Sequence, residues 1–422
     1  MDIDFNNRKR QSALLYYSSS AFLSQSIRSV GILVTTWRIG KADFAIYASA
    51  LMLVGFCNML RDLGQDPALI SLPVLRKGFL RCHLLLSVGL SFLAATVLSL
   101  LIWCTPWFTD LRSIYLFLPA LILIEAGYHT AQIACLRRFK FAAIAGIEII
   151  AVISWFSVAT IMSTSLPSVY CLLTATLTEL LCRGLGLCVV ARRDLGWARI
   201  RWGAIRYFMR YAKYLTAQSW IQHWAEHIDV LLLRLFGNQT ELGAYAQMQQ
   251  VVGVTFYLSV RSLDQVANAT YSSEQRKPVR LQRSFLFFGG LMLGGCVISI
   301  LLIYAFIHVF GAGIFGLSWK KDILDLWWWA LPLCIVRPLM WNFLISFEST
   351  SRPSLLLSSI IVNTCLSILL GVLLIIPLGA RGLYVALGLS QLITVLLQVS
   401  WSSELILYSG KAMPPVADKT AI

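Results

Sequence analysis

The sequence predicts an all-α, polytopic membrane protein with about twelve transmembrane helices. Three observations support this prediction: the composition, the length of the apolar runs and the distribution of basic residues. Of the 422 residues, 58% are hydrophobic and only 13% are charged, and the mean hydropathy is +0.73. Soluble domains average roughly 45–50% apolar and about 25% charged residues. The composition therefore excludes a soluble globular, disordered, collagen-like or disulfide-rich secreted protein.

The apolar runs have the length of membrane spans, because a helix needs about 20 mostly apolar residues to cross the hydrocarbon core. The connections between the runs are too short to hold a second folded domain, and the Walker-type GxxxxGK[ST] loop of ATP-driven pumps is absent from the sequence. The twelve predicted spans are 14–37, 44–60, 82–103, 113–133, 141–162, 168–190, 214–235, 243–260, 284–309, 325–346, 354–376 and 382–407.

Basic residues are concentrated in every second connection. If the N-terminus lies inside, the inside segments contain 25 of the 35 Lys and Arg residues, and the outside segments contain six. This positive-inside bias predicts that both termini are cytoplasmic. It also explains the net charge of +15 without nucleic acid, because basic loops face anionic lipid headgroups.

Two short motifs indicate an internal repeat. DFAIYA begins at Asp43 and ELGAYA begins at Glu241, each at the start of an even-numbered span, six spans apart. This spacing is typical of a parallel repeat with substrate between its halves. The predicted domains are a six-helix bundle at 1–190, a cytoplasmic amphipathic linker at 191–213 and a second six-helix bundle at 214–422. The linker's basic residues fit a helix on the membrane surface or a solvated loop.

Four motifs, in order along the chain, resemble those of one family. They are GKADFAIY from Gly40, DLG followed by PALI from Asp62, IDVLLLRLFG from Ile228 and GARGLYVA from Gly379. Together they resemble the polysaccharide flippases of the multidrug/oligosaccharidyl-lipid/polysaccharide exporter superfamily, and most closely the O-antigen and exopolysaccharide repeat-unit flippases. Gln65 and Asp66 depart from the family pattern, which has small or apolar residues there.

The resemblance implies a flippase that moves undecaprenyl-diphosphate-linked oligosaccharide from the inner to the outer leaflet of a bacterial inner membrane. The product would serve O-antigen, exopolysaccharide or capsule biosynthesis. The implied partners are this lipid-linked oligosaccharide, membrane lipids, and a polysaccharide polymerase with its chain-length regulator; direct contact with the last two is left open. We expect no nucleic acid, cofactor, metal or catalytic residue.

The anionic diphosphate and the sugars require a polar, cationic cavity. A charge at the bilayer centre costs about 2.5–3.5 kcal/mol on insertion scales, so charges within spans indicate function. We expect Arg28 and Arg337 to bind the diphosphate, because a guanidinium matches phosphate oxygens in fork geometry. The predicted polar lining of the cavity comprises Gln25, Gln222, Gln247 and Gln250.

Several ionisable residues within spans are candidates for binding a coupling proton or cation, because His changes charge near neutral pH. The candidates are Glu125 with His129, His223 with Glu226, and Asp229. The alternative interpretation is structural: Glu125/His129 and Glu179/Arg183 are both i,i+4 pairs whose members can neutralise each other.

Other functions compete with the flippase. A drug/cation antiporter of the same superfamily would have the same fold. A major facilitator is disfavoured, because GxxxDRxGRR is absent from 61–81, and a membrane polymerase is disfavoured, because the longest external segment is only 310–324. Trp319 and Trp327–Trp329 are interpreted as an interfacial aromatic belt, with a sugar-stacking platform as the alternative.

Overall fold

The computed structural model describes residues 23–24, 27–28, 31, 35, 38–62, 69, 77–138, 140–166, 168–195, 220–221, 223–224, 227–275, 277–315, 317–350 and 352–402. Every regular element within these residues is helical. The helices are α1 Lys41–Asp62, α2 Lys77–Cys104, a 3-10 segment Pro106–Ile114, α3 Phe117–Arg137, α4 Phe141–Ser165, α5 Val169–Ala191, α6 Gln239–Phe256, a π turn Tyr257–Arg261, α7 Ser262–Glu274, α8 Pro278–Phe315, α9 Leu317–Ser349 and α10 Pro353–Trp401.

The described helices confirm the predicted fold class. Seven of them are long and apolar enough to cross a membrane, or eight if the 3-10 segment and α3, which are bent by 68°, count as one span. They coincide with the predicted second to sixth and ninth to twelfth spans. The stretch 227–236, within the predicted seventh span, is also helical. The chain is therefore an all-α, polytopic membrane protein.

Helix α10 contains two of the predicted spans. Its 49 residues would extend about 74 Å in a straight helix, far more than one bilayer crossing needs. Gly379 breaks it with φ 58° and ψ −136°, a conformation that glycine adopts readily. The two arms fold back on each other, and the Ser367 and Ser390 hydroxyl oxygens lie 2.8 Å apart across them.

Helices α8 and α9 are longer than predicted. The sequence predicts an external segment at 310–324, but α8 continues to Phe315 and α9 starts at Leu317. With 38 and 33 residues, the two helices extend about 57 Å and about 50 Å. Charged residues in this stretch do not end a helix, because outside the hydrocarbon core they are solvated without cost to the backbone hydrogen bonds.

The buried core is divided along the chain. One cluster of buried side chains draws on residues between Ile39 and Ala191, with Ala246 added. Two further clusters draw on residues from Ile228 onward, with Ala45 added. Ala45 belongs to a cluster of the second half and Ala246 to the cluster of the first half because α1 packs against α6. The three predicted domains stay a prediction, since residues 196–213 of the linker lie outside the described residues.

Candidate functional site

Four charged side chains form a compensated cluster in the first half of the chain. Arg28 donates to Glu179, and Arg183 donates to the same Glu179 carboxylate at 2.8 Å and to Glu148 at 2.7 Å. Glu179 is only 1% exposed. The predicted Glu179/Arg183 pair is therefore present. It is extended by Glu148 and Arg28, and two guanidiniums balance two carboxylates.

The tyrosine of the first repeat motif lies at this cluster. The Tyr47 hydroxyl and the Thr176 hydroxyl are hydrogen-bonded at 2.9 Å, and the Trp155 indole N–H donates to Thr176 at 3.3 Å. Tyr47 is almost fully buried. A buried hydroxyl needs such partners, because leaving it unpaired costs free energy. These bonds tie α1, α4 and α5 together beside the charged cluster.

The tyrosine of the second repeat motif lies at the predicted coupling residue Asp229. The Tyr245 hydroxyl donates to Asp229 Oδ2 at 2.5 Å, and the Gln249 amide donates to the same oxygen at 3.4 Å. The backbone N–H of Val230 donates to the other carboxylate oxygen at 2.7 Å. Asp229 is 9% exposed. Its carboxylate is therefore satisfied by neutral donors in this structure.

Arg337 lies on α9, whose interior contains Pro332 and Pro338. Its guanidinium carbon is 4.7 Å from the centroid of the Phe256 ring, immediately before the π turn. Among the described residues, no carboxylate forms an ion pair with Arg337. A guanidinium over an aromatic face is stabilised by the ring quadrupole and keeps its N–H donors for another acceptor. The π turn is a feature that recurs at functional sites.

Two histidines lie where the halves of the chain meet. The His223 and His227 rings have centroids 4.4 Å apart, and His223 also contacts Phe56 of α1, at 5.4 Å between centroids. A Cβ atom on Gly55 would approach His223 Nε2 to 2.9 Å. The sequence predicted His223 with Glu226, which lies outside the described residues. Sequence reasoning missed His227, although its i,i+4 spacing from His223 was a visible signal.

The predicted partners Glu125 and His129 have different neighbours. Glu125 accepts from the Asn58 amide at 2.6 Å and from Arg61 at 3.4 Å, and Arg61 also donates to the Asn58 carbonyl oxygen at 3.2 Å. A carboxylate within a span is thus paired with an arginine from α1, a partner that sequence spacing alone does not reveal.

The His129 ring stacks on the ring of His83 from α2, with centroids 6.4 Å apart and planes 27° apart. His83 is buried, and its Nδ1 lies 2.9 Å from the Thr130 hydroxyl oxygen. A second histidine pair therefore lies within the first half of the chain, between α2 and α3. His83 was not singled out from the sequence, because it lies near the basic end of α2 rather than in a polar stripe.

The predicted glutamine lining is only partly described. Gln247 is 1% exposed, and its side-chain oxygen accepts no hydrogen bond from the described residues. Gln250 is partly exposed on the same helix, α6. Gln25 and Gln222 lie outside the described residues. Within the described part of the chain, no group of three or more His, Cys, Asp or Glu side chains is arranged to hold a metal ion.

One side of the molecule carries ion pairs between the two halves of the chain. Lys41 pairs with Asp322, and Arg234 pairs with Asp110. Gln239 donates to the same Asp110 carboxylate at 3.1 Å. We call these contacts the seam. The distribution of Lys and Arg predicts that the seam lies at the non-cytoplasmic side of the membrane. A cleft of about 710 Å³ beside it is lined by Lys41, Phe236, Gly237, Asn238, Thr240, Glu241, Ala244, Asp322, Asp325, Leu326 and 375–381.

Comparisons with known proteins address the family and the fold. A family model described as "Polysaccharide biosynthesis protein" matches residues 38–293. The chain is similar to the lipid II flippase MurJ in an inward closed conformation, with a TM-score of 0.70 and 12% identity over 92% of this chain and 87% of that one. No curated protein sequence matches the chain.

The chain is also similar to multidrug transporters. An inward-facing MATE family transporter of the MOP superfamily has a TM-score of 0.56 and 12% identity, covering 93% of this chain and 94% of that one. The MATE transporter DinF-BH in complex with rhodamine 6G has the same TM-score and identity, covering 94% and 96%. At this level of identity the likeness concerns the fold alone.

Proposed function

Since the chain belongs to the polysaccharide biosynthesis protein family, we propose that it flips undecaprenyl-diphosphate-linked oligosaccharide repeat units across the bacterial inner membrane. Alternating access between two bundles would carry the headgroup through a polar interior. The flipped unit would then serve O-antigen, exopolysaccharide or capsule biosynthesis, with a polysaccharide polymerase and a chain-length regulator acting next. The fold shared with a lipid II flippase supports a lipid-linked saccharide as cargo.

One observation carries the proposal: Arg337 lies inside an apolar helical fold and forms no direct ion pair with the described residues, although the Asp229 carboxylate is near enough to interact with it electrostatically. An intramembrane charge is costly and by default marks a function. The guanidinium rests on the Phe256 ring and is ready to donate to an anionic oxygen. In this proposal Arg337 is the first anchor of the diphosphate.

Arg28 would act as a second anchor that has to be released. It is bonded to Glu179, which Arg183 also contacts. If a diphosphate replaced Glu179 as the partner of Arg28, Glu179 and Glu148 would share Arg183 alone. Both carboxylates would keep a guanidinium contact, but the cluster would carry one uncompensated negative charge, and binding of the diphosphate would have to offset that cost.

The coupling residues remain proposals. The His223–His227 pair contacts α1 across the two halves, so a charge gained there would act directly on their contact. The hydrogen-bond donors to Asp229 are neutral groups. Its carboxylate would therefore still have a negative charge with which to bind a coupling proton or cation.

A drug/cation antiporter is the second candidate, because the fold is shared with MATE transporters, one of them in complex with rhodamine 6G. The two functions differ in cargo. A flippase for an anionic headgroup needs intramembrane cations such as Arg337, whereas export of a cationic dye would be opposed by them.

The test uses the purified full chain in proteoliposomes that contain a fluorescent undecaprenyl-diphosphate-linked disaccharide. The fraction of lipid whose sugar reaches an impermeant glycosidase is followed with time. We expect flipping above protein-free vesicles, a loss of about tenfold or more in Arg337→Ala, and partial recovery in Arg337→Lys, which keeps the charge but not the fork. Arg381→Gln, which removes a half-exposed pair with Asp325, is the matched control and should flip normally.

The same vesicles loaded with rhodamine 6G under a proton or sodium gradient test the antiporter. Dye efflux without lipid flipping would replace our proposal with the second candidate. Flipping at the wild-type rate in Arg337→Ala would refute the anchor role of Arg337 and leave the cargo assignment intact.

A further inference from the structure

The seam contains one interaction that is better sheltered than the others. Arg234 is bonded to Asp110, and the two side chains are 9% and 24% exposed, against 31% and 32% for Lys41 and Asp322. The Arg234 guanidinium also lies 6.0 Å from the Phe108 ring centroid. Exposed ion pairs contribute little because water and salt screen them, so the sheltered pair is the stronger of the two.

Asp110 is carried by the 3-10 segment, which is anchored to its own half of the chain. Arg112 donates to the backbone carbonyl of Trp103 at the end of α2, at 2.9 Å. The Tyr170 hydroxyl of α5 donates to the Ser113 carbonyl at 3.1 Å. The segment is bent 68° from α3. It is therefore a fixed arm of the first half that presents Asp110 to the second half.

In the second half, the residues that bind Asp110 flank the turn that leads into α6. Arg234 lies before this turn and Gln239 lies just after it, and both donate to the Asp110 carboxylate, through different oxygens. The hydrogen bonds fix Asp110 in position as well as pairing its charge. One carboxylate thus connects the arm to two consecutive helical stretches of the second half.

The backbones of the halves also touch near this point. A Cβ atom on Gly243 would lie 2.1 Å from the Lys41 carbonyl oxygen. Ala45, which occupies the equivalent position 198 residues earlier, is buried in the core of the second half. The repeat therefore places a glycine and an alanine at equivalent positions where α1 and α6 pack together, and the two halves are in close contact here.

We propose that the bonds from Arg234 and Gln239 to the Asp110 carboxylate, here called the latch, hold the seam closed. These bonds must break before this side of the molecule can open. The inference rests on the proposed alternating access, because only such a cycle requires the seam to open. The Lys41–Asp322 pair, which also joins the two halves, assists the latch.

The test measures opening of the seam without any cargo. The purified full chain, with the exposed Cys104 and Cys365 changed to Ser, carries Ala45→Cys as a reporter in lipid nanodiscs. The rate at which a water-soluble maleimide labels this cysteine reports separation of α1 from the second half. We expect Asp110→Asn and Arg234→Gln each to raise the rate about fivefold, as loss of a partly sheltered ion pair predicts.

Two further variants separate a latch from general destabilisation. Exchanging the charges, with Asp110→Arg and Arg234→Asp together, should return labelling to within about twofold of the parent, because the pair is restored. Arg381→Gln breaks the Asp325 ion pair, which lies near the seam but within one half, and should change nothing. A rate in Asp110→Asn equal to the parent, a charge exchange that does not restore closure, or an equal rise in Arg381→Gln would overturn the proposal.

The outcome is independent of the cargo. If labelling changes as expected but the lipid-linked disaccharide is not flipped, the latch stands and the cargo assignment fails. If flipping is observed but labelling does not respond to Asp110 or Arg234, the proposed function stands and the latch fails.

Discussion

At the scale of single residues, Glu179 is the centre of the charged cluster in the first half. Its carboxylate is 1% exposed and is shared by Arg28 and Arg183. Glu148 contacts only Arg183 among these residues. The cluster depends on Glu179 because removing it leaves two guanidiniums facing one carboxylate.

We expect Glu179→Gln to lower the free energy of unfolding by about 3–5 kcal/mol, the cost of breaking a buried pair by removing one partner. Thermal unfolding of the purified protein in detergent, followed by tryptophan fluorescence, measures it. Adding Arg28→Gln should recover part of the loss, because the charges balance again. An unchanged melting temperature in Glu179→Gln would contradict the central role of this carboxylate.

The tryptophans show what sequence reasoning resolves for single residues and what it does not. Trp319 and Trp327–Trp329 are predicted as one belt, but Trp319 and Trp327 are buried, whereas Trp328 is 63% exposed. Consecutive helical residues differ by about 100° in direction, so neighbours in sequence face different surroundings. The belt interpretation fits Trp328 and Trp329, and the other two belong to the core.

At the scale of elements, α1 and α6 approach each other more closely than side chains allow. Gly243 is the point of contact, because its missing side chain leaves room for the Lys41 backbone. On the same helix, Gly253 has no atom within 4 Å of the place where a Cβ would lie. The two glycines of α6 thus form a matched pair for substitution.

We expect Gly243→Ala to destabilise the protein by about 1–3 kcal/mol, because α1 must shift to admit the methyl group. Gly253→Ala should be neutral or stabilising by about 0.5–1 kcal/mol, since alanine favours helix over glycine. Melting temperatures of both variants, measured side by side, decide the matter. Equal changes in melting temperature in the two variants would show that α1 can shift at the crossing at little cost in free energy.

Helix positions follow from the sequence, but breaks within helices follow less well. The spans 354–376 and 382–407 are predicted separately, and the structure joins them through a single break at Gly379. The position needs glycine for a second reason: a Cβ there would lie 2.5 Å from a Glu241 carboxylate oxygen. Hydropathy identifies the apolar runs, but it cannot reveal the approach of Gly379 to Glu241, because these residues are far apart in sequence.

At the scale of the whole molecule, the fold and family were predictable, because each rests on features distributed over the chain. The family match over 38–293 and the fold shared with MurJ and MATE transporters confirm the resemblance. Apart from the i,i+4 pair Glu179/Arg183, the partners of the charged residues were not predictable. Arg61 of α1 pairs with Glu125 of α3 and His83 stacks on His129, and only tertiary packing brings these pairs together.

The distribution of Lys and Arg predicts that both termini lie on the cytoplasmic side. A C-terminal green fluorescent protein fusion to the full chain should fluoresce in cells, and a C-terminal alkaline phosphatase fusion should be inactive. Fusions at the N-terminus should behave in the same way. An active phosphatase at either terminus would contradict the assigned orientation, and activity at both termini would reverse the side on which the seam lies.

The unusual length of α8 makes bilayer thickness a variable for this protein. Its stretch without Asp, Glu, Lys or Arg, 284–312, would measure about 44 Å, and a tilt of 40° would reduce its projected height to about 33 Å, still more than a hydrocarbon core of about 30 Å. In a bilayer of lipids with short acyl chains, apolar side chains on the surface of the helix, such as Val309 and Phe310, would be exposed to water. Longer-chain lipids would cover them, so hydrophobic mismatch acts on the second half of the chain through this helix.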